Sequence, residues 1–323
     1  MEVLWLTWRQ HRIQVLLTTA LLAVLGVVLL ISGLGAADFA AQNAPATDCV
    51  ADTPVCSAYR GEMNERIRSV GELLGWLPLL APAMIGAFWG APLLAREFEQ
   101  GTHQLTWTQS VTRRRWLAAK IVGLGAAVTL GGLALAAIVE PWLAAFDVPP
   151  YNVYRFDMSW FRIVGIMPAA WWLSAFLLGM AAGALLRRTL PAMAVTLAVC
   201  ALAFFGLLRA PSSYATPERA VQATVMDELE PEGSLYVTSY WIDGSGVRYT
   251  SQERHLALAG PCGTDETTKK YAKCSFSHGY RQVAEFHPED RFWRFQWTEA
   301  GILLIPALSL GGVAVRRTLR PRI

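Results

Sequence analysis

Six apolar runs alternate with polar segments along the chain, near residues 13–34, 73–94, 116–139, 163–186, 190–208 and 299–315. A helix needs about 20 residues to cross a hydrocarbon core ~30 Å thick, and each run meets or approaches that length. The last run is short. The aromatic residues Phe292, Trp293, Phe295 and Trp297 ahead of it form an interfacial belt, so the span is expected to begin within them. This pattern predicts an all-α membrane protein with six transmembrane helices. Residues 1–12 read as an interfacial N-terminal helix, and 13–209 hold helices one to five with a polar segment at 95–115. Residues 210–298 read as a small external α/β domain, and 299–323 as the sixth helix with a basic tail.

Local signals refine these elements. In residues 1–12, Leu4, Trp5 and Trp8 share a helical face with Arg9 and Arg12 on the wetter side, the pattern of a short helix lying in the interface before the chain turns to cross. The run that follows is longer than the 7–15 residues of a signal-peptide core, which argues against that reading. Residues 59–68 can form a short amphipathic helix in the first loop (36–71). Pro78, Pro82 and Pro92 predict a kinked second span whose freed backbone groups are satisfied by neighbouring helices. Gly86/Gly90 and Gly179/Gly183 have the spacing that lets helices approach closely.

The segment 210–298 is too structured in pattern to be a linker. Thr216, Pro217 and Glu218 supply an N-cap hydroxyl, a first-turn proline and a first-turn carboxylate, predicting a helix that runs to about Glu230. Residues 235–242 and 247–251 flank Asp243-Gly-Ser-Gly as a hairpin.

Composition agrees with a membrane protein: 54% of residues are hydrophobic and only 16% charged, against roughly 25% charged in soluble domains. The net charge of +3 becomes informative when divided by compartment. With a cytoplasmic N-terminus, the inner segments carry thirteen basic residues against three acidic ones, leaving fifteen basic and twenty-two acidic residues outside. Short loops rich in Lys and Arg stay in the cytoplasm. The chain is therefore expected in the plasma membrane as a multi-pass protein with both termini cytoplasmic.

Cysteine placement follows the same division. Cys49 and Cys56 fall in the first outer loop, Cys262 and Cys274 in the last, and Cys200 within the fifth span. Two close pairs on the oxidising side read as disulfides, and a Cys262–Cys274 bridge would contribute about 2–4 kcal/mol. A metal site would need companion ligands, and His255, His278 and His287 are the outer candidates, without helical or CxxC spacing among the pairs. No metal is expected.

The chemistry that the sequence omits narrows function further. It contains no GxxxxGK[ST] loop, so it does not bind ATP by that route, and no GxSxG, HExxH or CxxC. No catalytic constellation is expected, and no nucleic-acid partner. Glu72, Glu140, Arg209 and Glu299 are placed at outer span ends rather than within the membrane, which argues against coupling to an ion gradient. Any power for its work must then come from elsewhere.

Residues Arg96-Glu97-Phe98-Glu99-Gln100-Gly101-Thr102, followed by Leu105, Thr108-Gln109-Ser110-Val111, Arg113, Arg115-Trp116-Leu117 and Lys120, resemble the first cytoplasmic loop of type-2 ABC exporter permeases. In that family an acidic-Gly-Thr segment opens a coupling helix that docks on the ATPase. Arg291-Phe292-Trp293, Phe295-Gln296-Trp297 and Glu299 resemble an actinobacterial subgroup. The resemblance implies a second permease copy, identical or paralogous, and separate ATPase subunits that hold ATP and Mg. This chain itself would hold no cofactor. The cargo would be an amphipathic drug, peptide antibiotic or lipid-like molecule. Arg96, Glu97, Phe98, Glu99, Gly101, Thr102, Leu105 and Trp107 are the expected coupling residues: Leu105 and Trp107 as apolar knobs, Glu97 and Glu99 as partners for cations on the ATPase. An ATPase-coupled sensor or immunity protein without net transport is the alternative.

Overall fold

The computed structural model describes residues 2–43, 54–99, 112–146, 153–222, 224, 231–263 and 269–319 of the 323. It divides into two units. The first comprises Met1–Arg155, Ser159–Leu208 and Arg294–Ile323, and the second Phe156–Met158 with Arg209–Trp293.

The first unit is helical: α1 (Glu2–Asn43), α2 (Pro54–Ile85), a π-helical turn (Gly86–Gly90), α3 (Ala91–Glu99), α4 (Arg113–Ala144), α5 (Met167–Leu186) and α6 (Thr189–Leu207). Among the described residues, six helical stretches are long and apolar enough to cross a membrane: His11–Asn43, Pro54–Glu99, Arg114–Ala144, Met167–Leu186, Thr189–Leu207 and Glu289–Leu319. Two boundaries depart from expectation. The separate interfacial helix at 1–12 is absent, because Glu2–Asn43 is one uninterrupted helix; no Pro or Gly stands between residues 2 and 13 to break it. The amphipathic stretch 59–68 is likewise no separate loop helix but the first part of α2, with the bond-forming periodicity carried straight into the second span.

The central helix is α5. It is apolar on every side, as a helix surrounded by protein must be. It ends at Arg187, whose backbone takes the left-handed conformation (φ 55°) and whose N–H donates to the Gly183 carbonyl. Small residues let the neighbouring backbones reach it. A Cβ on Gly86 would stand 2.7 Å from the Ala175 carbonyl oxygen, one on Gly179 would land on the Gly86 carbonyl, and one on Gly132 would lie 2.6 Å from the Ala169 backbone. Ala83, Ala175 and Cys200 form one small-residue contact among α2, α5 and α6. Ala91, Ala182 and Ala192 form another among α3, α5 and α6. In lipid there is no hydrophobic drive between helices, so close van der Waals approach through small residues supplies the packing. The glycine spacings visible in the sequence are therefore the helix-crossing points.

The second unit holds β1 (Glu218–Val221), β2 (Leu235–Ile242), β3 (Arg248–Tyr249), α7 (Ser251–Leu258), α8 (Lys269–Ser277) and β4 (Arg281–His287). The chain then enters α9 (Phe292–Leu319), whose first residue lies in the aromatic run ahead of residues 299–315. The sheet is antiparallel throughout, in the order β1-β4-β2-β3. The expected helix from Thr216 is overturned: Glu218–Val221 is an edge strand paired with β4, with Glu218 opposite Phe286 and Val221 opposite Val283. Local capping signals favoured a helix, but β4, which begins 63 residues after Glu218, at Arg281, offers a ladder of backbone bonds, and Pro217 is tolerated just before the first strand residue. Arg219 pairs with its cross-strand neighbour Glu285 at 2.9 Å.

The hairpin at Asp243 is present, with Trp241 opposite Tyr249. The Asp243 carboxylate accepts bonds from the Ser245 hydroxyl and amide, the Val247 amide and the Tyr249 hydroxyl, which hold it below the usual carboxylate range. Thr250 and Glu253 form a reciprocal capping box at the start of α7. On the helix they begin, Arg254 is buried against the Trp241 ring at 3.8 Å and the Tyr271 ring at 5.1 Å.

His287 ends β4 fully buried. Its Nε2–H donates to the Ser212 carbonyl at 3.1 Å, and its Nδ1 accepts from Arg291 at 3.2 Å. Both ring nitrogens are thus committed to the neutral form, and burial, with Arg291 alongside, pushes the imidazole below its ordinary value of 6.5. The unfolded chain then binds a proton that the folded unit refuses. The stability His287 contributes should be complete above pH 6.5 and lost as pH falls through that value toward the lowered folded pKa. Hydrogen exchange of the β4 amides in the full-length protein should show this loss, and His287→Gln should flatten the profile; an unchanged profile in the variant would assign the pH effect to another group.

Candidate functional site

The last turn of α3 is where separate spans are fastened together. Glu97 receives the ammonium of Lys120 on α4. Lys120 is 3% exposed and lies over the Trp116 ring at 4.6 Å, so the charge is held between an anion and an aromatic face. Glu99 accepts from both the backbone N–H (3.0 Å) and the hydroxyl (2.5 Å) of Thr189, the first residue of α6. A carboxylate at that position answers the unpaired amides and positive end of a helix. Between them, the Phe98 ring meets the Arg187 guanidinium at 5.5 Å, at the end of α5. Three consecutive side chains therefore hold three different spans.

Sequence reasoning singled out these residues for cations on a partner; the structure engages Glu97 and Glu99 inside the chain, because Lys120 and the α6 start lie within reach of α3. Arg96 stays exposed at the same turn. Gly101, Thr102, Leu105 and Trp107 lie outside the described residues. Of the expected disulfide residues, Cys262 and Cys274 are joined (S–S 2.02 Å). Cys56 is buried on α2, and its expected partner Cys49 lies outside the described residues.

Immediately before α3, the π-helical segment shifts the helix register. Such segments insert a residue into the i→i−4 ladder and disturb its carbonyls. Gln14 of α1 donates to the Phe88 carbonyl within it at 3.0 Å, and Gln14 in turn meets His11 at 2.6 Å. From Gln14 to Val28, about 21 Å of helix, α1 forms one wall of a groove of about 670 Å³. Leu77 and Met84 of α2, Phe88 and Trp89 of the π-helical segment, and Trp172 of α5 also line it. Gln14 and Thr18 are the polar side chains lining it.

A second constellation joins α9 to the entry of α5. Arg162 binds Glu299 through Nε–Oε1 at 2.9 Å and Nη2–Oε2 at 3.3 Å, and both are essentially buried. Trp171 Nε1 donates to the same carboxylate at 3.3 Å. Nη1 and Nη2 also donate to the Leu208 and Leu207 carbonyls at the end of α6. Gln296, one turn before Glu299, takes the Ile166 amide and gives to the Phe161 carbonyl. Gly165, at φ +62°, leaves no room for a Cβ beside Gln296.

Glu299 was expected at a wet span end. It is instead two turns inside a helix that starts at Phe292, and is fully buried. The available signal was one basic and one acidic residue, Arg162 and Glu299, placed at the same edge of two predicted spans.

Comparison with known proteins places this geometry in context. A family model described as ABC-2 membrane transporter related matches residues 19–209, more than half of the chain. That range covers the spans fastened by Glu97–Glu99 and ends before the first strand of the four-stranded sheet. No curated protein and no solved structure matches the chain.

Proposed function

We propose, from the premise that the chain belongs to the ABC-2 membrane transporter related family, that it is the membrane subunit of an exporter driven through residues 95–115. Membership makes it a multi-pass permease component that works with an ABC ATPase subunit. Beyond that, the proposed arrangement has both termini in the cytoplasm of the plasma membrane and two permease copies, identical or paralogous. The ATPases dock on the segment from Arg96 to Trp107.

The observation that supports this reading is the fastening of Glu97, Phe98 and Glu99 to α4, α5 and α6. A force applied at the end of α3 would reach three spans without crossing a flexible joint. The proposed cargo is amphipathic: the groove beside α1 is almost wholly apolar, and its volume falls within the range of ordinary ligand pockets.

Replacing Glu97 and Glu99 together by Ala should leave the permease–ATPase complex able to form, since Arg96 and the segment beyond are retained. Cargo-stimulated ATP hydrolysis should fall roughly tenfold, within the 5–150-fold range of ordinary coupling energies. The measurement is ATPase activity of the co-purified complex in lipid vesicles. Unchanged complex formation together with unchanged stimulation would remove the coupling role.

The separate fold of the second unit, whose sheet lies beyond residues 19–209, favours one alternative: a sensor whose four-stranded unit binds a ligand and signals to the ATPase without net transport. Vesicles loaded with ATPase and ATP distinguish the two, because a sensor hydrolyses ATP without moving any cargo.

A further inference from the structure

The second unit carries a cluster that the exporter reading does not use. Cys262 closes the turn after α7, donating its N–H to the Leu258 carbonyl. Cys274 sits on α8, and His278 follows one turn later. The His278 Nδ1 lies 3.9 Å from the Cys262 sulfur and 3.7 Å from the Cys274 sulfur. These three ligand atoms all fall within 4.8 Å of one another.

Zinc bonds of about 2.3 Å to sulfur and about 2.1 Å to nitrogen, at tetrahedral angles, set a sulfur–nitrogen edge of about 3.6 Å and a sulfur–sulfur edge of about 3.8 Å. Both sulfur–nitrogen edges are therefore already near their zinc values. The sulfur–sulfur edge alone differs, because the two atoms are covalently joined.

We propose that Cys262, Cys274 and His278 form a zinc site that opens when the disulfide is reduced, leaving a fourth position for water. The inference is independent of the exporter reading. A dithiol reductant supplies two electrons and two protons, breaks the sulfur–sulfur bond, and departs as its own cyclic disulfide. Zn²⁺ then displaces the two thiol protons to solvent, binding both thiolates. It also takes the Nδ1 lone pair of His278. That nitrogen now lies 2.9 Å from the Cys274 carbonyl, to which it donates when protonated, so zinc binding requires the imidazole proton to sit on Nε2. His278 is exposed, which lets the ring make this change without disturbing a core.

The test uses the full-length protein in detergent, reduced with a dithiol that is then removed anaerobically, and titrated with zinc or with cobalt as a spectroscopic substitute. Reduced protein should bind one zinc per chain at this site and show a thiolate-to-cobalt charge-transfer band, while oxidised protein shows neither. The Cys262→Ser/Cys274→Ser double variant should lose both, which separates this site from the other cysteines. His278→Ala should weaken zinc binding by at least about tenfold, since even residues behind the ligands cost 10–100-fold, and should alter the cobalt spectrum. The variant changes an exposed side chain, so the result does not depend on the behaviour of the cysteine mutants. Equal zinc affinity in reduced wild type and His278→Ala, or no gain in zinc on reduction, would overturn the proposal.

Discussion

Glu299→Ala should cost about 3–5 kcal/mol of folding stability, the range for removing one partner of a buried ion pair. The variant leaves the Arg162 guanidinium, one positive charge with five N–H donors, in a protein interior with the Leu207 and Leu208 carbonyls as its hydrogen-bond acceptors among the described residues. It also strips Trp171 of its acceptor. The loss should appear as a large drop in the thermal midpoint of the purified protein in detergent. Glu299→Gln keeps a carbonyl oxygen for Trp171 and should lose less than Glu299→Ala.

A double substitution, Arg162→Leu with Glu299→Leu, removes both charges and should recover a substantial part of the loss. Buried pairs exchanged for apolar residues are often neutral. Recovery stays partial because Arg162 also closes the end of α6. A double variant no more stable than Glu299→Ala would mean that the charge itself is not what the interior resists.

Gly179→Ala is the second large effect, and it comes from a single methyl group. The added Cβ would land on the Gly86 carbonyl and 2.8 Å from the Ala91 amide. Neither obstacle is the far end of a side chain, so α5 must move away from the π-helical turn as a whole. The cost should exceed the about 1–3 kcal/mol of an ordinary overpacked core. It should register as loss of the monodisperse fraction in detergent chromatography.

Gly75→Ala is the matched control. Gly75 is a helical residue with nothing within 4 Å of its would-be Cβ, so alanine there should be neutral or slightly stabilising through helix propensity. Equal behaviour of the two variants would show that helix propensity, not the close approach, governs both positions.

These two positions were unequally legible. Gly179 and Gly183 could be read as crossing points from spacing alone, although the partner helix could not. The Arg162–Glu299 pair was invisible as a pair, because 137 residues separate its members and Glu299 looked like an ordinary charge at a span edge. The edge strand β1 was misread for a related reason. Thr216-Pro217-Glu218 is a strong local helix start, and only β4, far along the chain, reverses it. The hairpin at Asp243 was legible because its turn and both strands are neighbours in sequence.

The segment from Arg96 to Lys120 falls between these cases. Its charge, its place between apolar runs and its Glu-x-Glu-x-Gly-Thr signature mark it from the sequence alone. What those marks left open was the use of each carboxylate, and Glu97 and Glu99 turned out to be fastened to Lys120 and Thr189 of the same chain.

By itself the sequence determined six apolar spans, the lack of a phosphate loop, and a family resemblance centred on 96–120. These are properties of composition, periodicity and short motifs, and each is complete within a window no longer than one helix. Tertiary structure alone decided which spans α3 holds, where the buried charges meet, and that residues 218–221 join a sheet. Those outcomes depend on which distant groups arrive close enough to exclude water or lipid, a condition that local periodicity does not encode.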